Sequence, residues 1–558
     1  MRIRNLLTVL FLVATLALPA SALAQEGEGE AIIFSTSADV VNWNWIIGDE
    51  SGSSEGQRWL YQSLVGLDPF TGEIIPSVAT GWEISEDGRT YTVTMRDDIV
   101  WSDGEPVDAH DVKFTADALY SDLVQTSYRS QFNFESVEVI DDYTVKFTFP
   151  DANCEALSQL GMSILPSHKF APDFSDFMTN PWNLQPDISA GPYILSEWVP
   201  DDYYALTANP TYVETYPGVE APAKIDNVFV RVIVNDAARN AAFEAEEVDW
   251  GSVGVEGLKA LQDVEFLNFF EYNNKTTTYF FAFNLADPNN PQPAYDADGN
   301  PVEQAPHPIF GDKRVRQALV MGWDHDAGIE AALSGHGARV SSPVPPSMGW
   351  AYNSEVEPWP YDPEAAKALL EEAGWVDTDG DGIRDKDGVP LSFEFLLATG
   401  GGQWEILALL AQDQWRQNLG VDMRITSMEF GALVDELVNQ TFEATIIGFG
   451  GGDPQPDGIV RSMYLSTNDA PGEGFNMASY INPEIDRLVD EGLYMPGCKT
   501  EDRAPIYYQI QEILREDVPA DFIYINTTII AAHQKIQGID PEAAWGTRYN
   551  ITEWTISE

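Results

Sequence analysis

Between residues 392 and 449 the chain alternates strand, helix and strand, and this order constrains its fold more than any other feature. SFEFLLA (392–398), VDMRITS (421–427) and EATIIGF (443–449) read as strands. Between the first two, Gln403 to Leu419 places Trp404, Leu407, Ala411, Trp415 and Leu419 on one helical stripe. Strands interleaved with helices build an α/β layer. Helix ends in the same half are written locally. Asp312 caps a helix running to Ala332, with Val315, Ala318 and Leu319 on one face. Asp362 caps another, Pro363 takes its first position and Gly374 ends it.

The earlier half reads differently. Thr90 to Met95 alternates as a strand behind the turn Glu86-Asp87-Gly88, and VEVIDDYTVKFTF (137–149) forms a second hairpin around Asp141-Asp142. Ala31 to Ser35 and Ile225 to Ile233 are strands, and Ala237 to Ala245 is helical. Residues 286–311, rich in Pro, Asn and Asp, lack periodicity and read as a long surface loop.

Charge decides which partners are excluded. The 558 residues carry 89 Asp plus Glu against 30 Lys plus Arg, a net charge of −59. Nucleic acid needs a basic surface and is excluded, and an anionic membrane surface is disfavoured for the same reason. With 44% apolar and 12% aromatic residues the chain is globular, not an acidic disordered tail. At about 150 residues per domain its length implies three or four domains or lobes.

The N-terminus has the layout of a secretory signal peptide: Arg2 and Arg4, an apolar run from Leu6 to Leu18, Pro19, and Ala22-Leu23-Ala24 before a cleavage point. No Cys lies near that point, so a lipid-anchored product is not expected. No later apolar stretch approaches the roughly 20 residues that span a bilayer. The mature chain is therefore expected to be soluble and periplasmic or extracellular. Such a compartment permits a disulfide between Cys154 and Cys498, and two buried thiols fit the sequence as well. H-E-x-x-H, G-x-S-x-G and G-x-x-x-x-G-K-[ST] are all missing, so no enzyme class and no ATPase is indicated.

Five spaced blocks carry a family resemblance. They are Leu60 to Thr115, with Trp101-Ser102-Asp103-Gly104-Glu105-Pro106; SAGPYILSEW (189–198) with Asn209-Pro210-Thr211-Tyr212; Ile225 to Trp250; Phe283 to Asp324; and YDPEAAKALLEEAGW (361–375). In content and order they resemble the family 5 extracytoplasmic solute-binding proteins of ABC importers, the oligopeptide, dipeptide and nickel-binding group. The resemblance implies a two-lobe α/β periplasmic-binding-protein fold of type II. Residues 25–58, 188–282 and 523–558 would form lobe I, 59–187 its extra subdomain, and 283–522 lobe II. The hinge would lie near Ala282–Asn284 and Ala520–Tyr524, where Phe280–Phe283 and Phe522–Ile525 read as crossing strands. It further implies a monomer without chemistry or cofactor, which hands a peptide-like ligand to a membrane permease with separate ATPase subunits. An oligosaccharide ligand is the alternative within the family, and a secreted hydrolase is the alternative outside it.

Asp453, in Gly448 to Asp457 (GFGGGDPQPD), is the leading site residue, with Gly451 beside it. In peptide-binding members a carboxylate at the matching position meets the ligand ammonium, and a cleft closing on a cation must supply an anion. Read without the family, Gly-Gly-Asp-Pro is ordinary turn chemistry. Dipeptide-type members also place an Arg near the turn before the Gln403 helix. Ala398 to Gln403 holds no Arg or Lys here, which moves the expectation from dipeptides toward longer ligands. Gly401 and Gly402 can instead offer backbone N–H groups to an anion. Trp43, Trp45 and Trp404 are candidates for stacking on a ligand, with core packing as the other reading. Asp377, Asp379, Asp381 and Asp385 have the D-x-D-x-D-G spacing of a calcium loop, although Gly388 stands where a bidentate Glu belongs. Structural Ca²⁺ and a plain acidic turn both fit. The six His are scattered, and His325 reads as a solvated helix residue.

Overall fold

The computed structural model describes residues 30–48, 51–126, 128–130, 132–272, 276–400, 402–450, 455–543 and 545–557. The signal-peptide segment lies outside these described residues. Two open sheets organise the chain. The first has seven strands in the order Leu267–Tyr272, Thr528–His533, Trp250–Ser252, Ala31–Thr36, Asn227–Val232, Tyr203–Ala208 and Tyr193–Val199. The second has six, in the order Gly337–Arg339, Ala520–Asn526, Thr278–Phe283, Ala444–Phe449, Ser392–Ala398 and Asp422–Met428.

The second sheet is the α/β layer read from the sequence. Ser392–Ala398 pairs in parallel with both Asp422–Met428 and Ala444–Phe449. Its inner strands carry apolar side chains on both faces because both faces are covered. Phe281, Phe395 and Ile446 enter one core, while Phe280, Leu396 and Ile447 enter the other. Fully burying each such side chain contributes about 1.5–3 kcal/mol. Gly402–Gln414 supplies Leu407 and Ala411 to the first of these cores and continues through a π-helical turn, Trp415–Leu419, to Gly420, which stops it at φ 67°. Asp362 caps Pro363–Glu372 through the Ala365 N–H, as expected.

The expected single helix from Asp312 to Ala332 is two. Lys313–Met321 ends at Gly322, and His325–Leu333 restarts with Asp324 as a new cap on the Ala327 N–H. The break drops Trp323 and His325 into the core. His325 is 1% exposed, not solvated, and its Nε2 lies 2.7 Å from Asp521 Oδ1. Trp323 Nε1 donates to the other oxygen of Asp521 at 2.8 Å. Asp521 is buried as well, and these contacts replace the water it loses.

The hairpins form a four-stranded antiparallel sheet from Ala79–Ile84, Thr90–Met95, Thr144–Thr148 and Ser136–Asp141. The helix Ala109–Tyr120 packs on it. Val93, Val145 and Phe147 of this subdomain share one continuous core with Ile32 and Val228 of the first sheet. The loop at 286–311 is pinned by isolated bridges, Ala286 to Pro306 and Tyr295 to Pro301.

The expected hinge positions need correction. Phe280–Phe283 and Phe522–Ile525 do not cross between lobes, because both belong to strands of the second sheet that pair with each other. The chain passes between sheets slightly earlier and later: after Tyr272 and before Thr278, and at Thr527. These two passages lie side by side, since Tyr272 pairs with Thr528 and Thr278 with Ile525.

Candidate ligand-binding cleft

A cleft of about 980 Å³ opens where the two sheets meet. The first lobe lines it with Phe34 to Ala38, at the carboxyl end of Ala31–Thr36, where ligands of α/β sheets bind. The passage before Thr278 contributes Thr276 and Thr277, and Thr528, the first residue of its strand, lies beside the other passage. The second lobe reaches it through Gly450, just past the end of Ala444–Phe449. A Cβ on Gly450 would sit 2.4 Å from the Thr277 Cα, so only glycine allows this strand end to touch the hinge. Asp453 and Gly451 follow immediately and, like Gly401, lie outside the described residues.

The structure brings together cleft residues that the sequence reading did not single out. Arg58, Arg239 and Arg548 all line the cleft, in a chain poor in basic residues. Arg548 pairs with Glu55, and its guanidinium sits 4.6 Å from the Trp59 ring and 5.4 Å from that of Trp250. Burial pushes the Glu55 carboxyl up, but Arg548 and Arg58 outweigh it and hold the carboxyl below its ordinary range. Arg239 pairs with Asp236 and donates to the Ile233 carbonyl at 2.9 Å. Arg58 is exposed and makes no side-chain ion pair among the described residues. The one available signal was scarcity: with so few basic residues, each arginine is worth placing.

The tryptophan candidates separate. Trp43 is fully buried, packed edge-on against Tyr204 at 5.3 Å and Trp198 at 6.1 Å. It is a core residue and not a stacking platform, because none of its surface is open to a ligand. Trp45 lines a neighbouring pocket of about 280 Å³ with Tyr128, Phe132 and Met162. Arg58 lines both this pocket and the cleft, so it stands at their junction. Trp404 is half-buried in the second lobe against Tyr279 and Phe430. Gly402 is exposed at the first position of its helix.

The chain is firmly anchored at Asp457, shortly after Asp453 in sequence. Asp457 opens the helix Asp457–Tyr464 and is buried. Arg503 Nη2 lies 2.5 Å from both its oxygens, and the Tyr507 hydroxyl donates to it as well. Burial opposes the charge on Arg503, but Asp457 outweighs it and holds the guanidinium above its usual value. Arg503 also lies 5.0 Å from the Trp350 ring and donates to the Gly492 carbonyl at 2.9 Å.

In the acidic loop, carboxylate oxygens of Asp377, Asp379 and Asp385 lie within 4.8 Å of one another. Asp381 does not join them; its carboxylate accepts the Ile383 N–H at 2.7 Å. Asp385 accepts the hydroxyl and N–H of Thr378, which hold its carboxyl below the usual aspartate range. The expected set of four ligands is thus reduced to three, each already engaged within the loop.

Two sheets joined by paired crossings, with a polar cleft at the carboxyl ends of their strands, define a two-lobe protein that binds its ligand between the lobes. The profile described as "Bacterial extracellular solute-binding proteins, family 5 Middle" matches residues 73–471, and the chain belongs to this family. It is similar to the oligopeptide-binding protein AppA of Bacillus subtilis strain 168, at 26% identity over 544 residues, covering 95% of this chain and 92% of AppA. It is also similar to the dipeptide-binding protein of Escherichia coli K12, at 25% identity over 511 residues, covering 86% of this chain and 87% of that protein. Among solved structures, HbpA2 from Haemophilus parasuis shares the fold with a TM-score of 0.78 at 20% identity, over 95% of this chain and 100% of that one. Members of this family are solute-binding proteins that work outside the cytoplasm with an ABC permease. Among the described residues no helix is long and apolar enough to cross a membrane.

Proposed function

We propose that this protein captures a peptide-like ligand in the interlobe cleft and delivers it to an ABC permease, without chemistry of its own. The observation that carries this reading is the cleft itself: about 980 Å³, lined by paired charges and by backbone at the hinge. Relatives named for oligopeptide and dipeptide binding support the ligand class. A volume of this size exceeds what a dipeptide fills, in keeping with the missing Arg before the Gln403 helix. Arg58 and the aromatic pocket beside it suit a ligand carboxylate and an apolar side chain. The protein acts as a monomer, exported by its signal peptide with cleavage after Ala24.

Asp453 receives the ligand ammonium in this reading, which is supported by Gly450, close before it in sequence, lining the cleft. Native mass spectrometry of purified protein should show a co-purified ligand of peptide mass, and Asp453→Asn should then weaken rebinding at least about tenfold, the worth of one charged hydrogen bond. A sugar mass, or turnover of the ligand, sinks the peptide reading. An unchanged affinity removes Asp453 from the site.

A calcium ion at Asp377, Asp379 and Asp385 is a separate proposal. The convergence of three carboxylates supports it. Bound cation stabilises by mass action. Chelation should therefore lower the melting temperature, and a melting curve unmoved by chelator and by added Ca²⁺ defeats it.

A further inference from the structure

Cys154 and Cys498 are joined, and the bond spans the two lobes. Cys154 follows the hairpin Ser136–Asp141/Thr144–Thr148 in the subdomain that shares the first lobe's core. Cys498 lies in the turn between the helices Pro483–Leu493 and Thr500–Asp517 of the second lobe. The contact is reinforced on both sides. The Cys154 N–H donates to the Leu493 carbonyl at 2.8 Å, and Glu155 meets Arg461 at 3.1 Å. The surface around it, from the 84–88 turn and from Tyr494 to Gly497, shares no residue with the cleft or with the inter-sheet passages.

This placement restricts how the lobes can part. When one lobe rotates rigidly against the other, the distance between a point on each stays constant only if one of the two lies on the axis. The two chain passages are neighbours in paired strands, so together they define one end of an axis and leave its direction free. The disulfide supplies a second, separate point. Its Cα atoms are 5.3 Å apart, and a disulfide tolerates at most about 7 Å. The lobes can therefore separate by less than about 2 Å there, whatever they do at the cleft.

We propose that the Cys154–Cys498 disulfide is a second hinge point, which confines opening to rotation about the line joining it to the paired crossing strands. Hinge closure in two-lobe proteins needs only a few residues to absorb the rotation. Here the bond selects which rotation is available. The inference rests on capture by moving lobes, but it is tested without ligand, so failure of the ligand assignment does not affect it.

The test is small-angle scattering of the ligand-free protein, oxidised and after phosphine reduction, with Cys154→Ser/Cys498→Ser as a second reduced-state mimic. Reduction should shift the radius of gyration and maximum dimension to larger values while the circular dichroism stays native. Superimposable curves with native dichroism overturn the proposal, as does titration of two free thiols in the unfolded, unreduced protein. If reduction unfolds the chain, hydrogen exchange of the oxidised ligand-free protein decides alone. The 149–156 and 490–499 segments should stay protected while cleft segments exchange, and fast exchange at the disulfide overturns the hinge point.

Discussion

Asp457→Asn should lower the stability of the second lobe by about 3–5 kcal/mol, because it leaves the buried Arg503 guanidinium without its counter-charge. Arg503 is 3% exposed and Asp457 2%, so water cannot take over the lost interaction. For a lobe of this size the loss corresponds to a fall in melting temperature of roughly 10 °C. The double variant Asp457→Leu/Arg503→Met should recover much of it, since replacing a buried pair by packed apolar groups is often neutral. Thermal unfolding followed by tryptophan fluorescence reads both. A single variant within 1 °C of the parent would show that the pair contributes nothing net. The site adds a second consequence. Asp457 follows closely in sequence on Gly450, which lines the cleft, so its loss should also weaken ligand capture in protein that is still folded.

Reduction of Cys154–Cys498 should cost about 5 kcal/mol against global unfolding. The bond closes a loop of 344 residues, and the chain-entropy model places long loops at the upper end of disulfide stabilisation. It should also change the shape of the transition. Oxidised, the subdomain and the second lobe are held together and unfold in one step. Reduced, the two lobes keep separate cores and should resolve into two steps in denaturant. Equal midpoints with and without reductant, both in one transition, would show that the lobes are coupled by packing and not by the bond.

What could be read from the sequence was what is written locally. The caps at Asp312 and Asp362, the stop at Gly374 and the two hairpins are signals within a few residues, and all are present. The break at Gly322–Asp324 used the same vocabulary, a glycine stop followed by an aspartate cap, but was overridden by the apolar periodicity running through it. The burial of His325 is not legible locally because its partner, Asp521, lies 196 residues away. The hinge strands read as apolar strands, but their sheet is not legible locally for the same reason. Sheet membership depends on Thr278–Phe283 pairing with Ala444–Phe449 on one side and Ala520–Asn526 on the other, which no local pattern announces. Trp43 illustrates the limit for site residues: an indole near a cleft and one inside a core have the same sequence neighbours, and only Tyr204 and Trp198 tell them apart. The cleft arginines come from three distant segments and converge only in the folded chain.

Thr276 and Thr277, in one passage between the sheets, and Thr528, next to the other, also line the cleft. Residues at the hinge therefore also face the cleft. A ligand shifts a conformational equilibrium only by binding its states unequally, and contact with residues whose torsions differ between open and closed forms is a direct source of that inequality. On the proposed reading, a ligand long enough to reach the threonines should bias the lobe angle directly. One that stops short should bias it less. Length selection would then belong to the hinge as much as to the pocket.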